Sequence, residues 1–245
     1  MKIPILYEDK DVLVINKPAG LIIHSDGKNK IKTLIDWILK KYPKIKNVGE
    51  SIVLDNGTKI LRSGIVHRMD KDTTGVLIIA KNQKSFLFLK EQFKNRKVYK
   101  VYQAFIYGPL KEERGMINRP IGRSSNDFRK RSAQRGAQGE IREAITYFRV
   151  LNKKKDFTFI EAIPKTGRTH QIRVHFSAIN HPIIQDKLYA TNFFLNKKQQ
   201  LNFKRMALHS RELEINLPSG KLLNIIAPYP KDFKEALDRI KIYDL

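Results

Sequence analysis

The chain has 245 residues, 48 Lys plus Arg against 24 Asp plus Glu, a formal net charge of +24 and no cysteine. A hydrophobic fraction of 41% is enough for a real core, which excludes a wholly disordered basic tail. The missing thiols exclude a disulfide scaffold, thiol catalysis and thiolate metal sites, and no run approaches the 18 apolar residues a membrane helix needs.

In chain order, Asp11–Lys17 reads as a strand stopped by Pro18-Ala19-Gly20, and Leu21–His24 resumes extended chain. Lys32–Tyr42 is a helix, with Thr33 and Asp36 spaced as a capping box. Val76–Ala80 is a short apolar strand. Phe86, Leu89 and Phe93 recur at helical spacing, so Ser85–Asn95 is an amphipathic helix. Val98–Tyr107 has a strand profile ended by Gly108-Pro109. Gly115–Glu140 is dense in Arg and poor in large apolar residues, and reads as a long basic loop or a loosely held hairpin. It is either solvated surface or a flap over phosphates.

Ile141–Leu151 and Phe157–Ile163 are strands, and Thr169–Ile179 is a helix with Ile172, Phe176 and Ile179 on one face. Leu213–Leu217 and Leu222–Ala227 flank Pro218-Ser219-Gly220 as a hairpin, and Phe233, Leu237 and Ile240 give a closing helix. Composition is even throughout, with no repeat and no linker, so one α+β domain over 1–245 is expected. Met1–Lys10 meets Glu8 and Asp9 too soon for a signal peptide.

An excess of 24 positive charges must lie mostly at the surface, where it attracts and steers a polyanion. Nucleic acid is the leading partner, although a Lys-rich background composition would leave the same trace. The cations are not gathered on one amphipathic helix, which argues against an anionic membrane.

Three segments concentrate reactive side chains. Gly64–Gly75 crowds His67, Arg68, Asp70, Lys71 and Asp72 into a Gly-bounded loop before a buried strand, where active sites often gather. A surface Arg–Asp pair is the plain alternative. Lys100, Tyr102 and Ala104 share one strand face, where Tyr102 could equally be an ordinary sheet aromatic. Thr166–His175 opens a helix with Arg168 and His170 near its N-terminus, a place that favours anions. Arg173 lies at the edge of the apolar face and needs a carboxylate, which any nearby Asp or Glu could supply.

Taken together, these residues resemble the RluA-type pseudouridine synthase family. His67-Arg68-Met69-Asp70-Lys71-Asp72-Thr73-Thr74-Gly75 is similar to its HRLDxxTSG signature. Lys100, Tyr102, Ala104 and Gly108 fit KxYxAxxxG, and Thr166–His175 reads TGRTHQIRVH unchanged. Asn16, Lys17, Pro18, Gly20 and His24 fit an opening NKPxGxxxH, and His181, Pro182, Asp186 and Tyr189 follow in order. Five motifs in order, spread over most of the chain, are far more specific than any one. Met69 stands where Leu is usual, Ser63 where Pro is common, and Gln185 where Gly usually precedes the Asp. No S4 RNA-binding domain is expected ahead of the first motif.

The resemblance implies a mixed, mostly antiparallel curved sheet flanked by helices. It implies isomerisation of a uridine in RNA to pseudouridine, with no cofactor and no metal. By the same resemblance Asp70 is the catalytic carboxylate, Arg173 its basic partner and Tyr102 the active-site tyrosine. Arg68 fills the gap left by a flipped nucleotide, and Lys17 and Arg168 contact phosphate. Whether Asp70 attacks C1′, attacks the base or removes a proton stays open. An rRNA substrate is favoured over tRNA, in a cytoplasmic monomer. A non-catalytic RNA-binding or ribosome-assembly protein on the same scaffold is the alternative; it would not need Asp70 and Tyr102. A metal-dependent nuclease is a third reading, with Asp70 and Asp72 but no evident third ligand.

Overall fold

The computed structural model describes residues 2–24, 31–53, 57, 59–134, 136–197 and 200–242. In chain order these form β1 (Ile5–Glu8), β2 (Val12–Lys17), α1 (Leu34–Lys41), a 3-10 turn (Pro43–Ile45), β3 (Ser51–Val53), β4 (Lys59–Leu61), β5 (Thr74–Ala80), α2 (Gln83–Lys94) and β6 (Tyr99–Tyr107). There follow β7 (Arg114–Asn118), β8 (Ile121–Arg123), β9 (Arg131–Ser132), β10 (Gln138–Arg142), β11 (Ile145–Lys153), β12 (Phe157–Pro164), α3 (Gln171–Ala178), α4 (Asn192–Leu195), β13 (Leu208–Asn216), β14 (Leu222–Ile226) and α5 (Lys231–Arg239). The α+β class and the mostly antiparallel pairing agree with the sequence. No helix among the described residues is long and apolar enough to cross a membrane.

The chain divides into two compact units, Met1–Tyr99 with Ser210–Pro228, and Lys100–His209 with Tyr229–Leu245. No shift in composition marks the division, because each crossing falls inside or beside a strand rather than in a linker.

In the first unit β2 pairs antiparallel with β1 and β5, β5 neighbours β13, and β13 pairs antiparallel with β14. All seven residues of β5 are buried, as befits an apolar strand flanked on both edges. β2 is almost as dry. Leu34 and Ile38 of α1, and Phe86 and Leu89 of α2, close the core over them. The Thr33–Asp36 capping box is present, and Asn82 caps α2 by accepting from the Ser85 N–H at 2.9 Å. Leu21–His24 forms no strand; instead Ile22 and Ile23 lend their carbonyls to the N–H groups of Leu34 and Ile35 at the head of α1.

In the second unit the antiparallel order is β6-β12-β11-β7. Phe105 anchors its core, stacked on Phe159 with ring centroids 4.4 Å apart and contacting Phe203 and Phe233. Each such buried ring contributes on the order of 1.5–3 kcal/mol. The basic segment is not a loose loop: β8, β9 and β10 make a separate three-stranded sheet in the order β10-β8-β9. The strand expected from Ile141 is correspondingly broken at Glu143-Ala144, so that Ile141 belongs to β10 and β11 starts at Ile145. The apolar pattern runs straight through this break, because buried Ala144 keeps the sequence looking continuous.

Candidate active site

Within the first unit, Asp70 begins a turn closed by Thr73 N–H to the Asp70 carbonyl at 3.2 Å. Asp at the first turn position is a favoured choice. Met69 before it is buried in the core, so its thioether fills the place expected of Leu. Thr73 and Thr74 behind it are buried at the head of β5, leaving Asp70 half-buried and Arg68 exposed. Gly75 has φ +110°, and a Cβ there would lie 2.0 Å from the Ser210 carbonyl oxygen. The glycine of the motif is therefore a close-approach residue.

His67 serves the scaffold. Its Nε2 accepts from the Ile78 N–H at 3.2 Å, and its ring stacks on Phe93 at 4.7 Å. Lys17 needs a correction. Its side chain is fully buried, and Nζ donates to the carbonyls of Pro18 and Lys71, each at 2.9 Å. A lysine so enclosed ties the end of β2 to the Asp70 turn and does not reach an external phosphate. No local pattern signals this, because only the pairing of Lys17 with Gly75 brings the ammonium under the turn.

His24 stands beside this group. Burial, followed by the positive charges of Arg62 and Arg68, lowers its pKa. Its Nε2 and the Nε of Arg62 are buried without a hydrogen-bond partner among the described residues. Ser63 has φ +45° and donates its hydroxyl to the Lys46 carbonyl at 3.1 Å. Proline, with φ fixed near −65°, could not hold that conformation.

Within the second unit, Tyr102 lies on β6 opposite Ala162 and is half-buried. Lys100, two residues earlier on the same strand face, is half-buried too, and burial pushes its ammonium down to about 8. Arg173 is buried on α3 and forms a bidentate pair with Asp186, with Nε to Oδ2 at 2.7 Å and Nη2 to Oδ1 at 2.8 Å. Asp186 also accepts the N–H groups of Leu188 and Tyr189. The Tyr189 ring lies against the guanidinium, 4.9 Å from ring centroid to Cζ. The carboxylate demanded by a buried Arg is thus supplied by the His-Pro-x-x-x-Asp run. That run was visible in the sequence only as a resemblance.

The start of α3 is built by Gln171. Its Oε1 accepts from the Thr166 hydroxyl and the Arg168 N–H, and its Nε2 donates to the Ile145 carbonyl and the Thr146 hydroxyl oxygen. The Thr146 oxygen lies 2.9 Å from His175 Nδ1, whose Nε2 lies 3.0 Å from the Arg119 carbonyl. A neutral His175 satisfies both contacts by donating from Nε2, and burial lowers its pKa accordingly. Arg168 is half-buried, with Nε donating to the Glu143 carbonyl at 2.9 Å, so part of its fork holds the adjoining loop. His170 takes a left-handed conformation, φ +57°, and its Nδ1 meets the Tyr189 hydroxyl at 2.8 Å. That hydroxyl also accepts the Arg131 N–H at 2.9 Å, which fastens β9 to the site.

Gln185 is left-handed as well, φ +58°, which explains why glycine would suit that turn. The open cleft of about 550 Å3 at the root of the three-stranded sheet, lined by Asn118, Arg119, Gln134 and Ile141, contains none of the candidate residues. Among the described residues no three His, Cys, Asp or Glu side chains are grouped to hold a metal ion.

The profile of the RNA pseudouridylate synthase family matches residues 11–178. An uncharacterized RNA pseudouridine synthase of Synechocystis is 36% identical over 95% of this chain and 67% of its own length. Ribosomal large subunit pseudouridine synthase D of Pseudomonas aeruginosa is 36% identical over 95% of this chain and 70% of its own length. Among solved structures, human RNA pseudouridylate synthase domain containing 4 superposes with a TM-score of 0.74 at 26% identity, covering 97% of this chain and 92% of that one.

Proposed function

Since the chain belongs to the RNA pseudouridine synthase family and is accordingly an isomerase, we propose that residues 1–245 act as one catalytic domain converting specific uridines of ribosomal RNA to pseudouridine. The presence of Asp70 on a turn braced from beneath carries this reading. A scaffold serving only to bind RNA would not need that carboxylate.

The reaction is balanced without any co-reactant. The N1–C1′ bond breaks, uracil turns while held, C5 bonds to C1′, and the C5 proton is lost as N1 gains one. A paired and stacked uridine cannot reach a half-buried carboxylate, so the nucleotide must leave its helix. Arg68, exposed, long and planar, takes the vacated place beside the phosphates. Asp70 is the carboxylate acting on the glycosidic bond or the freed base, a chemistry that suits an ionised Asp. Tyr102 stacks on the uracil and assists proton transfer from C5. Arg173, its plane fixed by Asp186, is the basic residue assigned to the same chemistry. Arg168 offers phosphate the part of its fork turned away from Glu143. The protein acts as a cytoplasmic monomer.

The substrate preference is supported by relatives named for the large ribosomal subunit. The test is pseudouridine mapping of total RNA from cells lacking the gene, complemented with wild type or Asp70→Ala. Sites restored by wild type alone support the reading and identify the RNA. Restoration by both removes Asp70 from catalysis. Loss of tRNA sites alone overturns the ribosomal assignment. If no site is lost, the binding-protein alternative takes its place.

A further inference from the structure

We propose that the small sheet of β8, β9 and β10 is a stacking finger, which presents Phe128 to an unpaired RNA base outside the target uridine. This rests on the reading that the protein acts on RNA.

Phe128 is 88% exposed, more than any other large hydrophobic side chain described; Phe193 follows at 67%. It stands between Asp127 and Arg129 in an otherwise polar loop, Ser124–Lys130, and contributes no core contact. The loop that carries it is nonetheless held. Asp127 Oδ1 accepts the N–H and the Nε of Arg129, both at 3.0 Å, and Oδ2 accepts Nη2 at 2.8 Å. The Lys130 N–H reaches the Asp127 carbonyl at 2.9 Å, and the Ser124 N–H reaches the Lys130 carbonyl at 3.2 Å. An apolar ring on a tied tip is displayed to solvent at a fixed place, as an aromatic platform requires.

Charge selects the partner. The tip's carboxylate is consumed by Arg129, whose guanidinium holds Asp127 down to about 2. Arg123 is exposed on β8, Lys130 and Arg131 follow the tip, and the chain as a whole carries +24. A nucleotide joins a flat π-face to an anionic phosphate, and so matches an aromatic ring set among cations; every base offers that face, so the contact tolerates sequence. The root of the finger is fixed as well, through the Arg131 N–H on the Tyr189 hydroxyl, which also meets His170. Phe128 and Arg131 are three steps apart along the chain, a reach of at most about 11 Å. The stacked base therefore lies within a nucleotide or two of RNA resting on that root.

The experiment measures binding of a fluorescein-labelled uridine-rich single strand, about 12 nucleotides long, across a salt series, together with pseudouridine formation on large-subunit rRNA transcripts. Phe128→Ala and Phe128→Leu should weaken binding about 5- to 150-fold, while Phe128→Tyr stays within about threefold. The slope of log affinity against log salt should not change, because the ring neutralises no phosphate. In a Trp37→Phe background, Phe128→Trp should lose fluorescence when the strand binds. Thermal melting controls for folding, and an exposed ring should leave it unchanged.

Wild-type affinity in the Leu or Ala variant, or an unquenched tryptophan, overturns the finger while pseudouridine formation by wild type stands. In that case a protein surface is the occupant of Phe128. A wild-type protein that forms pseudouridine nowhere but shows the Phe128 dependence overturns the enzymatic reading alone. A wild-type protein that binds no RNA overturns both.

Discussion

The Lys17 ammonium donates to the Lys71 carbonyl at 2.9 Å, linking the last residue of β2 to the turn that carries Asp70. Lys17→Met removes two charge-assisted hydrogen bonds from a buried ammonium and takes that donor from the carbonyls of Pro18 and Lys71. The expected cost is about 2–4 kcal/mol of stability, with a fall in kcat as the turn loosens. The salt slope of RNA binding should stay as in wild type. A lysine touching phosphate would instead reduce that slope by about one. Denaturant titration and a salt series separate the two.

Asp186 should matter as much as Arg173. The pair is buried, and removing one partner strands the other charge. Asp186→Asn is expected to cost about 3–5 kcal/mol and to lower kcat more than tenfold, since the guanidinium plane is no longer fixed. Arg173→Lys should fail to restore activity, because an ammonium has no fork for the two carboxylate oxygens. Single-turnover kinetics with melting curves on both variants check this.

Stability should fall on acidification below about pH 6.5, the ordinary histidine range. Burial lowers the pKa of His175, so between its folded and unfolded values the unfolded chain binds more protons. The contribution is whole above that range and is lost as the pH drops toward the folded value. His24 shifts the same way and adds to it. His175→Gln should flatten part of this dependence in urea melts run from pH 5 to 8.

Gln185→Gly should stabilise the protein. The left-handed backbone at φ +58° costs a side-chain-bearing residue about 1–2 kcal/mol. Glycine's greater freedom in the unfolded chain takes back part of the gain. A net increase of about 0.5–1 kcal/mol, a few degrees in Tm, is expected by calorimetry.

Local signals carried most of the fold. The capping box at Thr33, the apolar run of β5 and the Phe86–Leu89 spacing each work over a few residues, and each matches its element. What failed was what depends on distant partners. The segment after Gly115 looked loose because its strands bury little; Ile121 and Ala133 hold it only once the chain brings them against Ala144 and Val174. Arg173 announced its need for a carboxylate, but not that Asp186 meets it. Lys17 had the residue type of a phosphate ligand, and only its register opposite Gly75 makes it a brace.

The order in which the chain is made has a bearing on its survival. β5, apolar along its whole length, has β13 as one of its neighbours, and the first unit's share of β13 begins at Ser210. All of Lys100–His209 must be synthesised before that neighbour exists. At about 5–20 residues per second, the newborn first unit waits on the order of ten seconds with much of one edge of its driest strand unpaired, only the Ile79–Ala80 end being bridged by Gly64 and Ile65. Such an edge is a template for intermolecular pairing. The nascent protein therefore passes through an interval of exposure to aggregation, and it should depend on chaperone cover while still on the ribosome that makes it.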